Sequence, residues 1–144
     1  MNESPPTAPT GRVLLADDGA DNQLLVSMIL RRAGYEVTIA GDGQQACELA
    51  LAAWHEGRPF DIVLMDMEMP VLDGFSATAR LRRDGYPGFV VALTGHTDPQ
   101  DRAACLAAGC DAHLGKPVMR SPLLERMSQW MHAQSADRAA DGAP

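Results

Sequence analysis

The sequence predicts an open, doubly wound α/β fold with a central parallel five-stranded sheet and helices on both faces. Two observations carry that prediction. Five short apolar runs alternate with five amphipathic segments along most of the chain, and the runs are apolar throughout rather than alternating, as strands covered on both faces must be. Short parallel strands joined by helices require right-handed crossovers, which gives a (βα)5 order wound on both sides of the sheet.

The first run is Val13-Leu14-Leu15-Ala16, followed by a helical pattern with Leu24, Leu25, Met28 and Ile29 that Gly34 ends. The second strand is Val37 to Ala40, and a helix from about Gln44 to Trp54 follows it. Ile62-Val63-Leu64-Met65 forms the third strand, with a helix after Asp73. The fourth strand is Phe89 to Leu93, and the next helix is opened by Asp98 as N-cap with Pro99 in the first helical position, and closed by Gly109. A last short strand, Ala112-His113-Leu114, leads to a helix opened by Ser121-Pro122 that carries Leu123, Leu124, Met127, Trp130 and Met131 on its apolar side. Residues 1–11, with several prolines, and 134–144, rich in Ala and Asp, read as flexible tails around a folded unit at 12–133.

Length and composition limit the functions available. A chain of 144 residues with 46% hydrophobic and 22% charged residues suits one water-soluble globular domain and leaves no room for a second. A formal net charge of -7 repels a phosphate backbone, so direct nucleic-acid binding is not expected. No apolar run approaches the roughly 18 residues that a membrane span needs, and the N-terminus has no signal-peptide core, so membrane insertion is not expected and the cytoplasm is the expected compartment. Cys47, Cys105 and Cys110 show no metal-ligand spacing and read as reduced, packed thiols.

In such sheets ligands bind beyond the carboxyl ends of the strands. There the chain places Asp17-Asp18 after strand one, Asp66 after strand three, Thr94 after strand four and Lys116-Pro117 after strand five. Like charges about 4 Å apart cost on the order of 4 kcal/mol at an effective dielectric of 20, so three converging carboxylates call for a cation. An oxygen-only, water-accessible set of few protein ligands suits Mg2+, which shares its coordination with waters and phosphate.

Asp17-Asp18, then the block from Val63 through Asp66-Met67-Glu68-Met69-Pro70 to Asp73-Gly74, then Ala92-Leu93-Thr94, then Leu114-Gly115-Lys116-Pro117, resemble in order and spacing the response-regulator receiver family of two-component systems. Asn22-Gln23 and Leu93-Thr94-Gly95-His96 are similar to receivers of hybrid sensor histidine kinases. The resemblance implies a flavodoxin-like fold over 12–133 and a phosphorelay signalling role rather than a turnover enzyme, in a domain that promotes its own phosphorylation and dephosphorylation. It implies Asp66 as phosphoacceptor. Asp18 would be a metal ligand, Asp17 a ligand largely through water, and Glu68 a ligand through its backbone carbonyl. Thr94 and Lys116 would contact phosphoryl oxygens, across a cis Lys116-Pro117 peptide. The implied partners are a sensor histidine kinase or histidine phosphotransfer protein and a downstream protein effector.

Two positions depart from the family pattern: His113 stands where an aromatic switch residue is usual, and Gly19 where a polar residue is common. His113 could turn inward with Thr94, titrate, or only pack. Two other readings compete. Gly41-Asp42-Gly43-Gln44-Gln45-Ala46 fits a dinucleotide fingerprint, but too few strands follow and Asp17, Thr94 and Lys116 would go unexplained. Asp66-Met67-Glu68 suggests an aspartate-nucleophile phosphatase, but the acid pair precedes the nucleophile and no cap domain fits. His55, His96 and His132 read as surface residues, and Met65, Met67 and Met69 as packing.

Overall fold

A computed structural model of the chain describes residues 11–95 and 98–141, with side chains through Gln134. His96, noted above, lies outside the described residues. The elements alternate as expected: β1 (Gly11–Ala16), α1 (Ala20–Arg32), β2 (Tyr35–Ala40), α2 (Gly43–His55), β3 (Ile62–Asp66), α3 (Gly74–Arg83), β4 (Phe89–Thr94), α4 (Pro99–Ala108), β5 (Ala112–Gly115) and α5 (Arg120–Asp141). The five strands form one parallel sheet in the order β2-β1-β3-β4-β5.

The apolar runs are buried on both faces because each strand sends alternate residues to opposite layers. Leu14, Val63, Met65, Val90 and Ala92 meet Ala46 and Cys47 of α2, Leu81 of α3 and Cys105 of α4 on one face. Val13, Leu15, Ile62, Leu64, Val91 and Leu93 meet Val26 and Leu30 of α1 and Leu123, Met127 and Trp130 of α5 on the other. Burial of this kind, worth about 25 cal/mol per Å² of apolar surface, supplies the main driving force. The three cysteines and Met65, Met67 and Met69 all lie in these layers, as packing residues. His55 and His132 are exposed.

Asp42, Asp73 and Asp98 cap α2, α3 and α4 by accepting the N–H of Gln45, Ser76 and Asp101. Gly109 closes α4 in the left-handed region at φ 109, where a Cβ is costly. The last helix departs from the sequence reading. It opens at Arg120 rather than at Ser121-Pro122 and continues to Asp141, through most of the stretch read as a flexible tail. Ala136, Ala139 and Ala140 are strong helix formers, and the sequence offers no glycine or proline there before Gly142. Among the described residues no helix is long and apolar enough to cross a membrane.

Candidate functional site

All the strand-end residues singled out by the sequence lie at the carboxyl edge of the sheet. Parallel pairing puts Ala16 beside Met65, Asp66 beside Leu93 and Thr94 beside Gly115, so the residues that leave β1, β3, β4 and β5 converge. One carboxylate oxygen each from Asp17, Asp18 and Asp66 lies within 4.8 Å of the others. Asp17 and Asp66 are only 2% exposed, whereas Asp18 faces solvent. An oxygen-only cluster with two buried acids and one open side fits a hard divalent cation that keeps waters, as Mg2+ does.

Asp66 ends β3, and two donors meet its Oδ1: the Lys116 ammonium at 2.8 Å and the Glu68 N–H at 3.0 Å. Burial pushes the Asp66 carboxyl above its ordinary range, and the Lys116 hydrogen bond and the Glu68 N–H pull against that rise. The Lys116 N–H donates to the Thr94 carbonyl at 2.8 Å, and the Lys116-Pro117 peptide is cis. Thr94 is itself buried at the carboxyl end of β4.

Asp17 is held more tightly than the sequence suggested. Its N–H donates to the Ala40 carbonyl at 3.0 Å, and its Oδ1 accepts the Gly19 N–H at 2.8 Å. The Asn22 amide donates to its Oδ2, and the Gln23 amide donates to its carbonyl at 2.5 Å. At Gly19 the contact with Asp17 comes from the backbone N–H. Asn22 and Gln23 had been read only as marks of a subtype. The available signal was an acid followed at five and six residues by amides in the first turn of a helix.

His113 sits two register pairs back from the edge pair Thr94 and Gly115, opposite Ala92, and so shares a sheet face with Thr94. It is half-buried beside a cavity of about 240 Å³ between α4 and β5 that Cys105, Leu106 and Cys110 also line. Burial first, then Arg102 and Arg126, hold its pKa below the ordinary 6.5, which favours the neutral imidazole.

The glycine-rich turn before α2 has a structural role. The Gly43 N–H donates to the Leu72 carbonyl at 3.1 Å, and a Cβ on Gly43 would lie 2.9 Å from the Leu72 carbonyl carbon. The N–H a dinucleotide pyrophosphate would need is already used.

An open parallel sheet whose carboxyl edge gathers buried acids, a threonine and a lysine is the arrangement of a receiver-type signalling domain. Residues 13–128 match the family model described as response regulator receiver domain. The osmosensing histidine protein kinase SLN1 of Saccharomyces cerevisiae is 32% identical over 124 residues, which is 85% of this chain but 10% of that kinase. The receiver domain of the sensor histidine kinase PA1611 from Pseudomonas aeruginosa PAO1, solved with a magnesium ion coordinated in its active-site cleft, is 37% identical with a TM-score of 0.74, covering 85% of this chain and 98% of that one. The receiver domain of the Saccharomyces cerevisiae response regulator Ssk1, solved with the histidine phosphotransfer protein Ypd1, is 28% identical with a TM-score of 0.77, covering 90% and 94%. This chain belongs to the response regulator receiver domain family.

Proposed function

We propose that this domain accepts a phosphoryl group on Asp66 from a phosphohistidine of a sensor histidine kinase or histidine phosphotransfer protein, in a Mg2+-dependent reaction, and passes the signal on by protein contact. The observation that carries the reading is the placing of Lys116 Nζ 2.8 Å from the Asp66 carboxylate within a cluster of three acids. The cytoplasm, where such donors and Mg2+ meet, is the proposed compartment.

Asp17, Asp18, Asp66 and the Glu68 carbonyl would hold the metal, whose positive charge lets two anions approach and offsets charge on the phosphoryl oxygens. An Asp66 carboxylate oxygen attacks phosphorus in line. The P–N bond of the phosphohistidine breaks, its electron pair returns to the imidazole, and an acyl phosphate forms on Asp66. Lys116, tied by its backbone to Thr94, is placed to pair with a phosphoryl oxygen, and the Thr94 hydroxyl to donate to another. The same groups would serve attack by water on the acyl phosphate, so the domain would promote both its loading and its discharge. Movement of Thr94 toward the phosphoryl group, with His113 turning on the same face, would carry the change to β5 and to an effector.

The test is incubation with a small-molecule acyl phosphate and Mg2+, read by intact mass. One added phosphate is expected on the wild-type chain, with none on Asp66→Asn and none in excess chelator. Full labelling of Asp66→Asn, or undiminished labelling without divalent metal, defeats the proposal.

A further inference from the structure

We infer that Asn22 and Gln23 are positioning residues for the metal, orienting Asp17 from the first turn of α1; the inference rests on the Mg2+ reading above. α2, α3 and α4 each open on an aspartate whose carboxylate caps the helix's own N–H groups. α1 opens on Gly19 with no side-chain cap, and its first-turn side chains run the other way, back onto Asp17.

The arrangement gives up an ordinary side-chain cap on the open N–H groups of α1. In exchange Asp17 is fixed at four points: its N–H on Ala40, its carbonyl under Gln23, and one carboxylate oxygen each under Gly19 and Asn22. A carboxylate with one donor on each oxygen has its plane set and keeps one lone pair per oxygen for another partner. The oxygens of Asp18 and Asp66 lie within 4.8 Å, so a cation among the three acids is that partner.

The chemistry of the donors matters as much as their place. A lysine or arginine at position 22 would neutralise the acid and compete with a cation. A side-chain amide and a backbone N–H satisfy Asp17 without adding charge, so Lys116, on Asp66, is the cation already paired within the cluster and the clamp on Asp17 adds no second one. Asp18, exposed and outside this clamp, is the ligand free to adjust, and Asp17 the one held in place.

The full chain is titrated with Mg2+, following backbone amide NMR signals around the acids, alongside Asn22→Leu, which keeps similar volume and removes the donor, and Asn22→Gln, which keeps the amide. Removing a group that orients a metal ligand typically lowers affinity about 10-fold or more. Asn22→Leu should therefore raise the Mg2+ dissociation constant about 10-fold, Gln23→Ala should raise it less, and Asn22→Gln should recover part of the loss. Phosphorylation of Asn22→Leu should fall at low Mg2+ and return when Mg2+ is raised in proportion. A purely structural role would lower thermal stability in chelator while leaving Mg2+ affinity within twofold of wild type, and that result overturns the inference. If Asn22→Leu fails to fold, Asn22→Ser is titrated in its place against the same twofold limit. Wild type that binds no Mg2+ removes the metal site itself; wild type that binds it equally with Asn22→Leu removes only the role of Asn22.

Discussion

Replacing Gly74 by alanine should separate helix propensity from close packing at the phosphoacceptor turn. Gly74 opens α3 and donates its N–H to the Met67 carbonyl at 3.2 Å. A Cβ there would meet the Asp66 carbonyl oxygen and come within 2.6 Å of the Met67 methyl and 2.7 Å of Met67 Cα. Ordinary carbon contacts begin at about 3.5 Å, so the backbone must open by roughly 0.8 Å. The Met67 methyl is the end of a flexible side chain, but its Cα and the Asp66 carbonyl are backbone and move only with the turn itself. Overpacking against backbone costs about 3 kcal/mol, and the helix gains about 1 kcal/mol when alanine replaces glycine. The net loss is about 2 kcal/mol, or roughly 8 °C in Tm and about 1 M in urea midpoint. Gly41→Ala is the control, because its nearest neighbour is Gln45 Oε1 at 3.6 Å, an ordinary contact; its stability should change by less than about 0.5 kcal/mol. The same displacement moves Asp66 relative to Lys116, so phosphorylation of Gly74→Ala should slow by about 10-fold or more. A Gly74→Ala protein as stable as wild type would refute the packing argument and leave helix propensity in charge.

Arg82 donates to the carbonyls of Tyr86, Gly88 and Gly109 and to Asp111, all at 2.8 to 2.9 Å, so Arg82→Met should cost about 2–4 kcal/mol in urea denaturation while Mg2+ affinity stays unchanged. Loss of Mg2+ binding in that variant would show that the two edges of the sheet are coupled. Burial pushes Cys110 up to about 11 and raises Cys47 and Cys105, so all three thiols should resist maleimide at pH 8 and react in step with urea-induced opening; rapid labelling of the native protein would contradict their burial. His113, with a folded pKa below its unfolded 6.5, contributes stability that is present above pH 6.5 and lost as pH falls through the folded value; an NMR midpoint at or above 6.5 would contradict this. With a phosphoryl mimic and Mg2+, amide shifts should extend along β5 into α5 and shrink in His113→Ala; shifts confined to the loops at Asp17, Asp66 and Lys116 would remove His113 from the signal path.

The layers and the site edge were legible because they depend on patterns a single sequence displays. Uniformly apolar runs such as Ile62 to Met65 can be satisfied only between two helical layers, and polar residues directly after such runs can only emerge at the sheet's edge. What was not legible depends on contacts between distant segments. β1 and β2 each start two residues earlier than their apolar runs because Gly11 pairs with Tyr35 and Arg12 with Glu36, and the Arg12 side chain is fixed by Glu36 and by the Phe60 ring. No local signal at Arg12 announces partners that far along the chain. The need for glycine at Gly43 and Gly74 is of the same kind, since the obstacles are Leu72, Asp66 and Met67 in the β3–α3 segment. The sequence shows the glycine but not what approaches it.

The two edges of the sheet divide stability from function. At the amino edge, Arg82 and Asp111 pair opposite charges, Arg82 donating to the carbonyls of Tyr86, Gly88 and Gly109 and Asp111 accepting the Val90 N–H. At the carboxyl edge the chain does the reverse: Asp17 and Asp66 are buried near each other and near Asp18, and burial raises the Asp66 pKa despite Lys116 and Glu68. Carboxylate oxygens within 4.8 Å of one another repel, by on the order of 3–4 kcal/mol per unscreened pair at an effective dielectric of 20, a cost the core and the amino edge must offset. A cation entering the cluster relieves that repulsion, so part of its binding energy is stored in the folded domain beforehand. A cluster optimised for stability would carry fewer charges and bind Mg2+ weakly. Neutralising Asp18, the exposed member, should therefore leave the metal-free domain as stable as wild type or more so, while lowering its Mg2+ affinity. If Asp18→Asn instead destabilises the metal-free protein, the acids are mutually supporting through Lys116 and the stored repulsion is absent.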